Sequence, residues 1–101
     1  LAPVMRFNEP VCREKFAAAY DRCVHGEKTC TTVGEKSAYM VAWMEKIVKD
    51  LDIPTSLKEF GVPEEDLDGL VEAGMQVTRL LVNNMREVTP ADARALYQEI
   101  L

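Results

Sequence analysis

The sequence lacks the features that mark several large classes of protein. Its 101 residues include one histidine and only 7% aromatic residues. No apolar run approaches the length of a membrane span, and no segment has the layout of a secretory signal. Neither the alternating pattern of a strand nor an internal repeat is present. We therefore expect no membrane association and no β-sheet.

Basic residues are also few, and they are not clustered. Twelve Lys and Arg stand against 17 Asp and Glu, which gives a net charge of −5, and the two signs are interleaved along most of the chain. Binding to nucleic acid requires clustered Lys and Arg opposite the phosphates. We therefore expect no nucleic-acid ligand.

Cysteine and histidine are too sparse to predict a metal site. The three cysteines and the histidine, Cys12, Cys23, His25 and Cys30, are separated by ten, one and four residues. Zinc sites usually pair their ligands within one turn, as in C-x-x-C. Cys12 and Cys23 also fall on the apolar side of a predicted helix, where free cysteine is a small hydrophobe. Because the cysteine number is odd and no signal is evident, we expect reduced thiols and a cytoplasmic location.

Catalytic residues are equally hard to assign. His25 has no nucleophile or carboxylate partner in the pattern, and no hydrolase serine motif occurs. The acidic run Glu64, Glu65 and Asp66 is typical of a helix N-terminus. The residues by themselves assemble no catalytic site.

Helical periodicity is what the sequence does contain. Asn8 and Pro10 favour a helix start there, with an apolar face that continues to Cys23 and ends at Gly26. A second helix is predicted over 35–51. The residues predicted on its apolar side are Met40, Val41, Met44, Ile47, Val48 and Leu51, widened by Tyr39 and Trp43.

The stretch "IPTSLKEFGVPEED", residues 53–66, predicts a rigid corner between two helices. Pro54 stops the preceding helix, Ser56 caps a single turn, Gly61 closes it in a left-handed conformation, and Pro63 begins the next helix.

That next helix has a periodic stripe, predicted as buried, which consists of Leu67, Leu70, Val71, Gly74, Val77 and Leu81. Gly74 inside the stripe predicts close approach of a neighbouring backbone. "VNNMRE" ends the helix, and Thr89, Pro90 and Asp92 form the start signal of a last one. We predict one all-α, bundle-like domain over residues 1–101, with about four to six helices.

Three segments in order resemble one protein family. They are "LAPVMRFN" at the start, "LDIPTSLKEFGVPEEDLDGLVEAG" from Leu51, and "LLVNNMREVTPADARALYQEIL" at the end. They are similar to the C-terminal region of the iron-dependent (type III) alcohol dehydrogenases, which carry L-L-P-x-V-M-x-x-N, L-G-I-P-x-x-L-x-x-L-G-V and an N-P-R turn. The resemblance covers nearly the whole chain and is weakest over 24–33.

The resemblance implies a two-domain parent enzyme in which this chain is the C-terminal helical part. An N-terminal dinucleotide-binding domain would be its partner, NAD(P) would take the hydride, and iron, or zinc, would act as Lewis acid on a small alcohol or aldehyde substrate. The metal ligands of the family, an aspartate and three histidines, would precede Leu1, and His25 matches none of them. We thus expect no metal or cofactor bound by this chain alone, and no activity from it.

Two departures from the family pattern concern the substrate. The chain reads Asn84-Met85-Arg86 where relatives commonly have N-P-R, and residues 24–33 do not follow the usual pattern. By position, the resemblance suggests Leu80 and Asn84 as residues that line the substrate pocket.

Two other interpretations stay open on the sequence. One is a free-standing helical module that binds a protein partner, and the other is a small cysteine/histidine metal-binding protein. The absence of an initiator methionine favours a piece of a larger polypeptide. In that case uncovered apolar faces predict self-association of the chain.

Overall fold

Helices form most of residues 1–26 and 29–101, the parts of the chain that the computed structural model describes. Five α-helices occur there: α1 (Ala2–Cys23), α2 (Val33–Asp50), α3 (Leu67–Met75), α4 (Thr78–Leu81) and α5 (Pro90–Ile100). Two short 3-10 helices, Leu57–Phe60 and Glu64–Asp66, lie between α2 and α3. No strand is found in the described ranges. The predicted all-α class is confirmed, and the number of helices agrees with the prediction.

The chain groups into two compact units, Leu1–Asp52 and Ile53–Leu101. The prediction of a single domain over residues 1–101 therefore stays a prediction, and each unit is described by itself. Within the described residues, no helix is both long enough and apolar enough to cross a membrane.

The first unit consists of α1 and α2, which pack along each other. Arg6 near the start of α1 pairs with Glu45 near the end of α2 at 3.1 Å, and Asp21 pairs with Lys36 at 2.8 Å. The two helices are therefore antiparallel. Their buried residues are Ala2, Asn8, Cys12, Ala17, Tyr20, Ser37, Met40 and Val41.

The start of α1 differs from the prediction. The helix begins at Ala2, with a proline in its first two positions, and Pro10 lies inside it. Pro3 therefore occupies the helix start, where a missing N–H costs nothing. Pro10 removes one backbone hydrogen bond, but the packing of buried Ala2 and Asn8 keeps the earlier turns helical. The helix also ends at Cys23, before Gly26.

The second helix was predicted nearly correctly. It runs from Val33 to Asp50, and the hydroxyl of Thr32 caps it by accepting a hydrogen bond from the Glu35 backbone N–H at 3.1 Å. The threonine-rich stretch EKTCTTV, residues 27–33, has the composition of a loop, and its residues 27 and 28 lie outside the described ranges.

The predicted apolar side of α2 is only partly buried. Met40 and Val41 are buried, whereas Ile47 and Leu51 are 37% and 65% exposed. The buried residues of α2, Ser37, Met40 and Val41, lie in its first half, and its apolar side becomes exposed towards the C-terminal end.

In the second unit, the capped turn predicted within residues 53–66 is confirmed, and the angle that it sets between two helices stays a prediction. The Ser56 hydroxyl accepts from the Lys58 backbone N–H at 3.3 Å, and Gly61 ends the turn with a left-handed φ of 78°. Pro63 precedes the 3-10 helix that leads into α3, which begins at Leu67.

The helix predicted to continue to Leu81 is interrupted. Helix α3 ends at Met75, and Val77, with ψ of 58°, separates it from the four-residue α4. Two of the residues at the break, Val77 and Thr78, are β-branched and favour helices less than straight side chains do. Consequently Val77 is 44% exposed, not buried as predicted.

The neighbour of Gly74 was also predicted incorrectly. The close contact is with the side chain of Tyr97 on α5, not with a backbone. The Tyr97 ring packs over Gly74 and, as a close backbone would, leaves no room for a Cβ atom there. This contact joins α3 to α5.

Candidate functional site

The two residues predicted to line a pocket lie in one short stretch of the second unit, which we call the 77–86 segment. The stretch comprises α4 and the turn after it. Its backbone is closed by successive short-range hydrogen bonds, from the N–H of Leu81 to the Val77 oxygen at 3.1 Å and from the N–H of Asn84 to the Leu81 oxygen at 3.1 Å. Leu80 and Asn84 are thus held in the same locally bonded stretch.

Asparagine side chains stabilise the turn that follows α4. The Asn83 amide donates to the Arg79 backbone oxygen at 2.9 Å, and the Asn84 amide donates to the Arg86 backbone oxygen at 2.6 Å. Asn84 is half-buried, while Leu80 is exposed. Asn84 therefore shapes the turn, and Leu80 exposes its side chain from α4. Their role in a pocket stays a prediction.

The surface of the 77–86 segment is mainly apolar. Its exposed large apolar side chains are Val77, Leu80, Val82 and Met85. Sequence reasoning did not select Val82 or Met85, although two apolar residues in a turn rich in asparagine are an unusual composition for a solvated loop. Such a surface suits contact with the apolar part of a ligand or with another part of a protein.

The start of α5, which follows the segment, contains a carboxylate, that of Asp92, whose pKa is lowered by its neighbours. The backbone N–H and then the hydroxyl of Thr89 donate to the Asp92 carboxylate, and these bonds, together with the positive charge of Arg86, lower the pKa of Asp92. The hydroxyl of Thr89 in turn accepts from the Asp92 backbone N–H at 3.2 Å, which completes a capping box. Thr89 and Asp92 thus fix the start of α5.

The chemistry of the segment is that of a lining surface. Over 77–86 it contains aliphatic, amide, hydroxyl and guanidinium groups, and no histidine, carboxylate or thiol. Those groups shape a surface and donate hydrogen bonds, but they supply no general base of suitable pKa and no activated nucleophile.

The cysteines and the histidine do not form a metal centre within the described residues. Cys12 is buried, Cys30 is half-buried, and Cys23 is exposed, although it was predicted on the apolar side of the helix. Cys23 occupies the last turn of α1, beyond the buried Tyr20. In residues 1–26 and 29–101, no group of three or more His, Cys, Asp or Glu side chains could hold a metal ion.

The whole chain matches one known protein family. The description "Fe-containing alcohol dehydrogenase family, C-terminal" matches residues 1–101. The match includes the weakly patterned residues 24–33, so it extends beyond the segments that carried the resemblance.

Two curated relatives are similar to the chain. Long-chain-alcohol dehydrogenase 1 of Geobacillus thermodenitrificans is 30% identical over 95 residues, which are 94% of this chain and 24% of the relative. Sulfoacetaldehyde reductase of Bilophila wadsworthia is 30% identical over 93 residues, which are 91% of this chain and 24% of the relative. The chain thus spans about a quarter of the length of each. No solved structure gives a comparable match.

Proposed function

Because the chain belongs to the Fe-containing alcohol dehydrogenase family and matches its C-terminal part, we propose that it is the helical C-terminal region of a metal- and NAD(P)-dependent alcohol dehydrogenase. The match over residues 1–101 is the observation that carries this proposal. The enzyme would oxidise alcohols or reduce aldehydes and ketones. The names of the two relatives, an alcohol dehydrogenase and an aldehyde reductase, support both directions of that reaction.

The proposal divides the chemistry between this chain and the rest of the parent enzyme. Iron or zinc would polarise the alcohol oxygen and NAD(P) would accept the hydride, both held by the preceding polypeptide with its dinucleotide-binding domain. The chain alone would be inactive, and the parent enzyme would be cytoplasmic.

The 77–86 segment would form one wall of the substrate site. Leu80 presents an exposed apolar side chain, and the Asn84 amide, which donates to the Arg86 oxygen, holds the turn that follows. An apolar wall discriminates between substrates by the size of their carbon chain. The segment would therefore bind the alkyl part of the alcohol and leave the reacting oxygen to groups elsewhere.

The chain without its partner domain would associate with itself. Its exposed large apolar residues include Trp43, Leu51, Leu80 and Met85, which are distributed over both units. Apolar surface that is covered in a parent enzyme promotes self-association when it is exposed to solvent.

The test is an activity measurement on two polypeptides. One is the 101-residue chain, and the other is the complete polypeptide translated from the same reading frame. Each is purified, loaded with Fe²⁺ or Zn²⁺, and supplied with NAD⁺ or NADP⁺ and a series of primary alcohols of increasing length.

We expect metal-dependent reduction of the nicotinamide by the complete polypeptide and none by the 101-residue chain. Removal of the metal with a chelator should abolish the activity, and addition of the metal should restore it. A complete polypeptide that oxidises no alcohol with either cofactor and either metal would overturn the proposal.

A further inference from the structure

An uncovered apolar line runs along α2 in the first unit. It consists of Tyr39, Trp43 and Ile47 of α2 and of Leu51 at its C-cap, and we call it the α2 stripe. These residues recur every four positions, so they lie one above another on the helix surface. Each is at least 37% exposed. Large apolar residues that are scattered over a surface need no explanation, but a continuous line of four, including a tryptophan, does.

The N-terminal end of the α2 stripe is held in place by the core of the first unit. The Tyr39 ring packs edge-on against the Tyr20 ring, with ring centres 5.1 Å apart and an interplanar angle of 86°. Tyr20 is only 1% exposed. Tyr39 therefore has its orientation set before any partner arrives, and such rigid aromatic residues are efficient anchors because little conformational entropy is lost on binding.

Several charges of the same helix are paired within the unit. Lys46 pairs with Asp50 one turn later, and Glu45 pairs with Arg6 of α1 at 3.1 Å. A surface that recruits a transient partner by charge would keep such groups available for it. Here the apolar line is bordered by internal ion pairs, which fits permanent burial against an apolar surface.

We propose that the α2 stripe is the docking surface for the polypeptide that precedes this chain in the parent enzyme. The inference depends on the proposed function. The chain covers 24% of the length of each relative and matches the C-terminal part of the family, so most of such a protein precedes the matched region. That preceding polypeptide is long enough to cover the stripe and is present at fixed stoichiometry, as permanent burial requires.

The test uses Trp43, which is the one tryptophan of the chain. Acrylamide quenching of its fluorescence is measured in the 101-residue chain at a dilution at which it is monomeric. The same measurement is made on the complete polypeptide after its other tryptophans are replaced by phenylalanine. We expect the quenching constant of Trp43 to be severalfold lower in the complete polypeptide and independent of its concentration.

Two matched variants locate the effect. In the complete polypeptide, Ile47→Lys should lower the melting temperature and raise the Trp43 quenching constant towards that of the 101-residue chain. Ala38→Lys introduces the same side chain at an exposed position of the same helix away from the stripe. It should change neither quantity.

Three results would overturn the inference. Trp43 could be protected already in the monomeric 101-residue chain, it could be protected in the complete polypeptide only when that polypeptide oligomerises, or it could remain equally quenchable in an active complete enzyme. The third result would leave the dehydrogenase function intact. A complete polypeptide that protects Trp43 but has no dehydrogenase activity would remove the proposed function and keep the docking surface.

Discussion

A Cβ atom added to Gly74 of α3 would lie 2.9 Å from the hydroxyl oxygen of Tyr97 on α5 and 3.4 Å from the Cε2 atom of its ring. Real Cβ atoms essentially never approach another heavy atom below 3.0 Å. The two helices are therefore as close as the absence of a side chain allows. This contact, with the Arg94–Asp68 ion pair, joins α5 to α3.

Substituting Gly74 by alanine should destabilise the chain. Alanine improves helix propensity by about 1 kcal/mol, whereas overpacking costs about 1–3 kcal/mol. The Tyr97 hydroxyl must shift to admit the added carbon, because it lies closer than Cβ contacts allow, and the ring carbons behind it are already at van der Waals distance from that carbon. We expect a net loss of about 1 kcal/mol in the free energy of unfolding, measured by urea denaturation.

The control is a double-mutant cycle with Tyr97→Phe, which removes the nearest atom. In that background Gly74→Ala should be neutral or stabilising, because the helix-propensity gain then outweighs the remaining contact. An equal loss in both backgrounds would show that the Tyr97 hydroxyl is not the obstacle.

The capping box at the start of α5 gives a second prediction. The Thr89 hydroxyl accepts from the Asp92 backbone N–H, and the Asp92 carboxylate accepts from the Thr89 backbone N–H at 3.0 Å. Thr89→Ala should lower the free energy of unfolding by about 1 kcal/mol. Thr89→Ser retains the hydroxyl and should lose much less, and equal losses in thermal unfolding would contradict the capping role.

Two carboxylates should make stability depend on acid pH. Hydrogen bonds from the Thr89 backbone N–H and then the Thr89 hydroxyl lower the pKa of Asp92 below its ordinary 3.8, with a further contribution from Arg86. Backbone N–H groups of Thr31 and Thr32 lower the pKa of Glu35 below its ordinary 4.5. A carboxylate whose pKa is lowered on folding stabilises the native state above its ordinary pKa.

That stabilisation should disappear as the pH falls through the lowered values. Asp92→Asn and Glu35→Gln should each unfold at lower urea concentration than the unchanged chain at pH 7, and the differences should vanish well below pH 4.5 for Glu35 and 3.8 for Asp92. A difference that persists unchanged at pH 2 would mean that packing, and not charge, is responsible.

Several predictions that depended on a few neighbouring residues were correct. Ser56, Gly61 and Thr89 were assigned correctly because a cap or a left-handed turn depends on a few neighbouring residues. The predictions at Pro10 and Val77 were wrong, because α1 continues through the proline in its packed setting and the helix after Met75 breaks at two β-branched residues. The partner of Gly74 is 23 positions away in the sequence, and periodicity contains no information about such a contact.

The site was less predictable for a physical reason. Leu80 and Asn84 were chosen by a resemblance, and nothing in their own chemistry distinguishes them from other surface residues. A residue can be recognised as part of a substrate wall only when the reacting groups opposite it are known. Leu80 and Asn84 carry neither a base nor a nucleophile, so their own chemistry could not indicate where the reacting atoms lie.

A hydrogen bond from a buried hydroxyl joins α2 to α1. Ser37 is fully buried, and its hydroxyl donates to the Glu9 carboxylate at 2.9 Å, the same oxygen that accepts from Arg13 at 3.0 Å. Hydrogen bonds to charged groups contribute about 1.5–3 kcal/mol, and alanine returns about 0.5 kcal/mol of helix propensity. Ser37→Ala should therefore cost about 1–2 kcal/mol of unfolding free energy. If the cost were unchanged in a Glu9→Ala background, the hydrogen bond would not be its cause.

Leu80 provides the sharpest test of the proposed substrate wall. In the complete, metal-loaded polypeptide, Leu80→Ala should lower kcat/KM by about tenfold for long primary alcohols, mainly through KM, and much less for ethanol, because lost apolar contact costs about 1–3 kcal/mol. Val11→Ala shortens an aliphatic side chain of similar exposure on α1 and serves as the control. If Leu80→Ala left the dependence on chain length unchanged, or if Val11→Ala altered it equally, the 77–86 segment would not contact the substrate.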